Sequence, residues 1–340
     1  LEVANVENPV LTIVVPCYNE EAVLYETERQ LTEMVYSLMN EGLISPKSSI
    51  LFVDDGSRDQ TWTMIEEIVR KNRLVKGLKL SRNFGHQKAL LAGLETAKEE
   101  ADCVISIDAD LQDDISVMRE FLLKFHDGCD IVYGVRKKRE KDTFFKRATA
   151  QGYYRAMKKL GVDLVYNHAD YRLMSKRALE ELSRFPEQNL FLRGMVPLIG
   201  LQTAEVLYDR KERAAGESKY PLKKMLAFAF DGLTSFSVVP IHFITLVGLF
   251  TFLSSTIAGL YALFVKISGH ADDGWASIII SIWFLGGFML MSMGLIGEYI
   301  GKIYQETKRR PRYTIAQDAQ QETISQQLLR TQQDSAKRIN

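Results

Sequence analysis

The hydrophobic pattern changes character near residue 240. Before it, short apolar runs alternate with amphipathic stretches. Leu11–Pro16 (LTIVVP), Ile50–Asp55 (ILFVDD), Val75–Leu80, Cys103–Asp108 (CVISID) and Asp130–Val135 (DIVYGV) have the apolar, β-rich make-up of strands. Between them, Glu21–Met39, Thr61–Val69, Gln87–Lys98 and Ser116–His126 have helical character, with Asp59 placed to cap the second. Strands alternating with helices predict an α/β domain with a mostly parallel sheet covered on both faces. Ligands of such sheets sit beyond the carboxyl ends of the strands. The polar motifs CYNE, DDGS and DAD stand at those ends.

After residue 240 two long apolar runs follow. Ile241–Ile267 carries only His242 and Lys266 as ionisable groups, one at each end, and Trp275–Gly297 has no charge before Glu298. At 1.5 Å per residue the first run alone reaches roughly 40 Å, more than a hydrocarbon core requires. Together they predict a transmembrane hairpin joined by Ser268–Gly274. Lys and Arg crowd the flanks (Arg210, Lys211, Arg213, Lys219, Lys223 and Lys224 before; Lys302, Lys308, Arg309, Arg310 and Arg312 after), while the connecting loop has neither. The positive-inside bias then predicts a multi-pass protein of the cytoplasmic membrane, with the soluble domain and both termini in the cytoplasm. Leu1–Pro9 is short and acidic, unlike a signal peptide. Gly286, Gly287, Gly294, Gly297 and Gly301 suit close helix packing, and a homo-oligomer is expected, a tetramer being one arrangement.

Thr143–Leu160 and Pro221–Phe236 mix aromatic and basic residues at helical spacing, a pattern suited to helices lying in the membrane interface. The expected layout is a soluble domain over 1–220, an interfacial helix over 221–240, spans over 241–267 and 275–297, and a cytoplasmic tail over 298–340. Helix, strand and disorder all remain open for Gln317–Asn340.

Composition narrows the function. Lys plus Arg number 43 and Asp plus Glu number 43, so the chain is formally neutral and lacks the basic excess of a dedicated nucleic-acid binder. Cys17, Cys103 and Cys129 have no zinc-binding spacing and read as buried, reduced thiols. The carboxylates carry the candidate chemistry. Alternation along an extended segment puts Asp108 and Asp110 on one side. Two carboxylates beyond a strand end can share a hard divalent cation with a diphosphate. An Asp-x-Asp is a weak signal alone, as is the Asp-Gly turn of Asp54-Asp55-Gly56-Ser57. Their joint placement at the ends of separate strands of one sheet is stronger.

The series Val14–Glu20 (VVPCYNE), Phe52–Thr61 (FVDDGSRDQT), Ser81–Gly93 (SRNFGHQKALLAG) and Asp108–Asp114 (DADLQDD) resembles glycosyltransferase family 2, of GT-A fold. The likeness continues through His168–Leu179, Phe191–Gly200, Arg213–Met225, the two apolar runs and Gly297–Tyr313. This layout is similar to polyprenyl-phosphate glycosyltransferases of the bactoprenol glucosyltransferase type, related to dolichol-phosphate mannose synthase. Asp114 departs from the usual Pro and Tyr171 from the usual Phe.

The resemblance implies that Pro16, Tyr18, Glu20, Asp54 and Asp55 line the nucleotide pocket. It implies that Asp108 and Asp110 face the diphosphate, with Asp110 and Gln112 holding Mg²⁺ or Mn²⁺. Arg136, Arg213, Ser218 and Lys219 resemble phosphate-gripping positions, as their chemistry permits. Arg193 is a weaker candidate. Asp170 resembles an active-site acid, and Arg172 is open as its structural partner. The expected reaction moves one sugar, glucose from UDP-glucose, onto polyprenyl phosphate such as undecaprenyl phosphate. GDP-mannose, UDP-N-acetylglucosamine and a UDP-aminoarabinose stay open as donors. A processive synthase would usually show Gln-x-x-Arg-Trp, and Trp62, Trp275 and Trp283 end no such motif. A sugar-nucleotide-binding scaffold would tolerate loss of Asp108 and Asp110, and both are present.

Overall fold

The computed structural model describes residues 8–137, 168–188, 192–209, 239–268 and 274–319. The two expected interfacial helices, and Arg213, Ser218 and Lys219, lie outside the described residues. The chain divides into two compact units, 1–154 with 163–219 and 310–340, and 155–162 with 220–309.

The first unit holds the sheet. Its parallel centre is β1 (Leu11–Cys17), β2 (Ser49–Asp54), β3 (Val75–Leu80) and β4 (Cys103–Ser106), joined by α1 (Leu24–Asn40), α2 (Thr61–Lys71) and α3 (His86–Ala97). A 3₁₀ turn and α4 (Met118–His126) lead to β5 (Ile131–Arg136), and β6 (His168–Ser175), α5 (Lys176–Ser183), α6 (Leu192–Leu198) and β7 (Thr203–Tyr208) follow. With β8 (Ile315–Asp318) the order is β7-β5-β6-β4-β1-β2-β3-β8. Every residue of β1 and β2 is buried, because a strand covered on both faces needs apolar residues at every position rather than at alternate ones. On α1, Leu24, Thr27, Leu31, Val35 and Leu38 recur at helical spacing and form its buried face. α3 lies directly on the sheet: a Cβ at Gly93 would stand 2.4 Å from Val14 Cγ1. Cys17, Cys103 and Cys129 are buried and unpaired.

The mostly parallel sheet expected from the sequence is present, with two antiparallel members. β6 runs antiparallel to both β4 and β5. This reversal carries the start of β6 to the edge where the parallel strands end. At the other side, β8 adds antiparallel to β3, from within the segment expected to be a tail. Arg312 Nη2 bonds Glu95 Oε1 at 2.7 Å, Arg312 Nη1 bonds the Phe185 carbonyl at 3.2 Å, and the Tyr313 hydroxyl donates to Glu95. These contacts tie the approach to β8 onto α3 and the end of α5.

The second unit contains α7 (Val239–Ile267, 29 residues) and α8 (Trp275–Thr307, 33 residues). At 1.5 Å per residue they are roughly 44 and 50 Å long. Their described apolar side chains face outward: Phe250 is 72% exposed, and Phe264, Leu290 and Ile300 are also exposed. Among the described residues, Phe284–Thr307 is long and apolar enough to cross a bilayer. α8 continues beyond the apolar run, through Glu298, Lys302 and Glu306.

Candidate active site

The loops after β1 and β2 are built as one piece. Asn19 takes φ +56°, a left-handed conformation that asparagine tolerates better than most residues. Its backbone N–H donates to Ser57 Oγ at 3.0 Å, and its Oδ1 accepts from Arg58 N at 2.9 Å. Glu20 N donates to Thr61 Oγ1 at 2.9 Å. Asp59 accepts from both the backbone and the hydroxyl of Thr61, so it serves the start of α2 from just outside the cap position, which Gln60 occupies. Gly56 has φ +67°, and a Cβ there would lie 2.5 Å from the Arg82 backbone, so this turn excludes any side chain.

The two adjacent acids at the end of β2, Asp54 within it and Asp55 just beyond, do different work. Asp54 accepts from Ser57 N at 3.2 and 3.3 Å and closes the turn. Asp55 accepts from Phe84 N at 2.7 Å and Gly85 N at 2.9 Å, which fixes the entry to α3. Burial raises both carboxyls above their ordinary range, offset in part by these N–H groups. Tyr18, just beyond β1, is exposed.

β4 stops at Ser106, so Asp108-Ala109-Asp110 lies in the turn beyond the strand rather than within it. Alternation persists nonetheless: Ala109 is buried while Asp108 and Asp110 are partly open. Leu111 then takes φ +51°, a left-handed conformation that costs a leucine roughly 1–2 kcal/mol. The turn brings Gln112 N to 3.2 Å from Asp110 Oδ1 and buries Gln112 and Asp113. Desolvation, together with the neighbouring Asp170, Asp113 and Asp110, raises the Asp108 carboxyl, against the opposing pull of His86.

Asp170 stands next to Asp108 because β6 begins where β4 ends. It accepts from Arg172 Nη2 at 3.1 Å, from Arg193 Nε at 3.2 Å and from Arg193 Nη2 at 3.1 Å. His86 Nε2, on the first turn of α3, is 3.6 Å from both Asp170 Oδ2 and Asp108 Oδ1. Burial works against the Asp170 charge, but His86 and the two guanidiniums outweigh it and hold the carboxyl well below its usual range. For His86, burial is likewise outweighed by Asp170 and Asp108, and its pKa rises.

The cluster thus takes in Arg193 and adds His86, which the sequence reading quoted within a motif but gave no role. Arg136 is brought to the same edge, where its Nη2 bonds Asp113 Oδ1 at 3.1 Å and its Nε bonds the Tyr208 hydroxyl at 3.1 Å. Nε and Nη2 of its guanidinium thus bond protein groups. Asp113 and Tyr208 are further residues without a role in the sequence reading; Tyr208 had no motif to mark it.

A divalent cation fits this edge only as a shared ion. Among the described residues no group of three His, Cys, Asp or Glu side chains could hold a metal. Asp110 and Gln112 offer hard oxygen donors on one tight turn, the kind of partial set that Mg²⁺ or Mn²⁺ completes with substrate phosphates and water.

Residues 12–183 match the glycosyl transferase family 2 domain. The chain is 65% identical over 317 residues to an uncharacterized glycosyltransferase, YkoT, of Bacillus subtilis (strain 168), covering 93% of this chain and 94% of that one. It is 38% identical over 315 residues to the bactoprenol glucosyl transferase of Shigella phage SfV, covering 91% and 99%. It is also 38% identical over 310 residues to a prophage bactoprenol glucosyl transferase homolog of Escherichia coli (strain K12), covering 90% and 98%. With the carboxylates gathered at the carboxyl edge of its sheet, the chain belongs to glycosyltransferase family 2 and is a sugar-transferring enzyme of the GT-A fold.

Proposed function

We propose that the protein transfers a single glucose from UDP-glucose to a polyprenyl phosphate, undecaprenyl phosphate being the acceptor, with inversion at the anomeric carbon. The observation that carries this reading is the identity of about two-fifths, along nine-tenths of the chain, to proteins named bactoprenol glucosyl transferase. The nucleotide would lie across the joined β1 and β2 loops, against Pro16, Tyr18 and Glu20. Asp54 and Asp55 hold those loops in shape. Asp110 and Gln112 would hold Mg²⁺ or Mn²⁺ with the donor diphosphate, and that ion would offset charge on the departing UDP.

A phosphate monoester is already anionic near neutral pH, with a second pKa of about 6. It therefore needs placement more than it needs a strong base. Asp170 suits that demand, because a carboxylate held by two arginines is a poor proton acceptor and a rigid anchor. The exposed apolar sides of α7 and α8 support a bilayer partner. In this reading α7 and α8 form a membrane hairpin, the catalytic domain is cytoplasmic, and copies associate through the glycine-bearing faces. A panel of nucleotide sugars incubated with undecaprenyl phosphate tests the donor. UDP-glucose should give the fastest transfer, and a preference for GDP-mannose or a UDP-amino sugar would reassign it.

A further inference from the structure

The turn that carries Asp110 and Gln112 is held from outside itself. At its centre Leu111 takes φ +51°, a conformation that persists only where the surroundings enforce it. On the upstream side the Thr27 hydroxyl donates to the Ala109 carbonyl at 2.7 Å. On the downstream side two tyrosines hold consecutive residues. The Tyr208 hydroxyl donates to Asp113 Oδ1 at 2.5 Å and accepts from Arg136 Nε at 3.1 Å, while Arg136 Nη2 donates to the same carboxylate oxygen at 3.1 Å. The Tyr171 hydroxyl donates to the Asp114 carbonyl at 3.0 Å. The two rings meet edge to face, with centroids 5.5 Å apart.

The sheet brings these groups together. β7 pairs parallel with β5 in the register that sets Tyr208 opposite Arg136. A Cβ at Gly134 would stand 2.9 Å from the Tyr171 carbonyl oxygen and 3.1 Å from Tyr208 Cε1, so glycine leaves room for both tyrosines to close on β5. Asp113 is buried, and its carboxylate must therefore be satisfied by protein donors. Tyr171 and Tyr208 are buried too, which suits a part played through the turn rather than by contact with a ligand. We infer that Tyr208 and Tyr171 are positioning residues for the cation: they fix Asp113 and Asp114, and through them the Leu111 turn that sets Asp110 beside Gln112. This rests on the proposed cation-binding role of Asp110 and Gln112 and names what presets that pair. Asp114 and Tyr171, the two positions at which the chain departs from its family resemblance, share one of these bonds, and phenylalanine at 171 cannot make it.

The test measures Mn²⁺ uptake by the full chain in phosphatidylcholine nanodiscs with UDP present. The readout is the electron paramagnetic resonance signal of aqueous Mn²⁺, with protein-free UDP samples as the baseline. Tyr208→Phe keeps the ring and removes the hydroxyl, and it should weaken Mn²⁺ binding by about tenfold, the scale of one hydrogen bond to a buried charge. Tyr171→Phe removes a bond to a neutral carbonyl and should weaken it by about two- to fivefold. In an Asp113→Ala background Tyr208→Phe should add less than about twofold, because the carboxylate it holds is gone. A Tyr208→Phe protein that melts earlier but binds Mn²⁺ as tightly as the wild type has lost stability alone, and overturns the assignment. If Tyr208→Phe does not fold, as its melting curve would show, Tyr171→Phe decides in the same way. Asp110→Asn separates the inference from the reading beneath it, since that variant should lose Mn²⁺ binding outright. Undiminished uptake in Asp110→Asn, or none in the wild type, removes the cation from this turn and the role of the tyrosines with it. Uptake lost in Asp110→Asn but unchanged in both tyrosine variants overturns the positioning role and leaves the cation site standing.

Discussion

Arg193 meets Asp170 side-on, Nε to Oδ1 at 3.2 Å and Nη2 to Oδ2 at 3.1 Å. Both carboxylate oxygens are thereby occupied, and the group is held ionised well below the usual carboxylate range. It can orient its neighbours, but it has little tendency to take a proton.

Asp110 and Asp170 should therefore fail differently. Asp110→Asn removes the anionic ligand of the proposed shared cation and should abolish turnover in a folded protein, as should EDTA. Asp170→Asn disturbs placement only and should slow turnover by about 10- to 100-fold, less than the loss of Asp110. Steady-state rates, with a melting curve for each variant, check the order. Near-normal turnover in Asp110→Asn, or full activity in EDTA, contradicts the metal assignment.

Asp55 should matter for stability as much as for binding. Its two oxygens hold the backbone N–H groups of Phe84 and Gly85. Asp55→Ala leaves both donors unpaired and should lower the unfolding free energy by about 2–4 kcal/mol. Urea titration of the variant measures this. A change below about 0.5 kcal/mol would mean that the loop does not depend on it.

His86 links the site to pH. Its pKa is raised in the folded state by Asp170 and Asp108. The stability it contributes is fully present below its unfolded pKa of about 6.5 and is lost as pH rises through the higher folded value. His86→Gln should abolish that part of the slope while keeping a hydrogen-bond donor. Melting temperatures of both proteins from pH 5.5 to 9 should diverge most at the acidic end. Parallel curves would refute the charge linkage.

The membrane reading makes a separate demand. If α7 and α8 form a hairpin with both ends in the cytoplasm, Ser268→Cys should react with an impermeant thiol reagent added from outside intact cells. A cysteine replacing Ser325 should not. The reverse pattern would invert the topology.

The parallel half of the sheet was legible because β1, β2, β4 and β5 are apolar runs, as strands buried on both faces must be. β6 escaped notice because its inward positions include Asp170 and Arg172. Paired inside the fold, they read as polar in the chain. β8 was only partly legible: a strand stayed open from Gln317 onward, but its partner β3 is far away in sequence and no local pattern marks such a pairing. Asp108, Asp110 and Asp170 were found through motifs, and the fold brings Asp108 and Asp170 to either side of His86. The role of His86 could not be read locally, since it depends on α3 starting beside β4 and β6. Arg136 was picked by residue type, and the fold adds that its Nε and Nη2 bond Tyr208 and Asp113.

The central claim is transfer of one sugar to a lipid phosphate, and the product of one incubation tests it most directly. Purified protein, UDP-glucose and undecaprenyl phosphate with Mg²⁺ or Mn²⁺ should yield a lipid bearing a single glucose. The anomeric proton should show a β-linked glucosyl phosphate, inverted from the α-linked donor. An α-linked product, a lipid carrying two or more sugars, or no sugar on the phosphate would contradict the account.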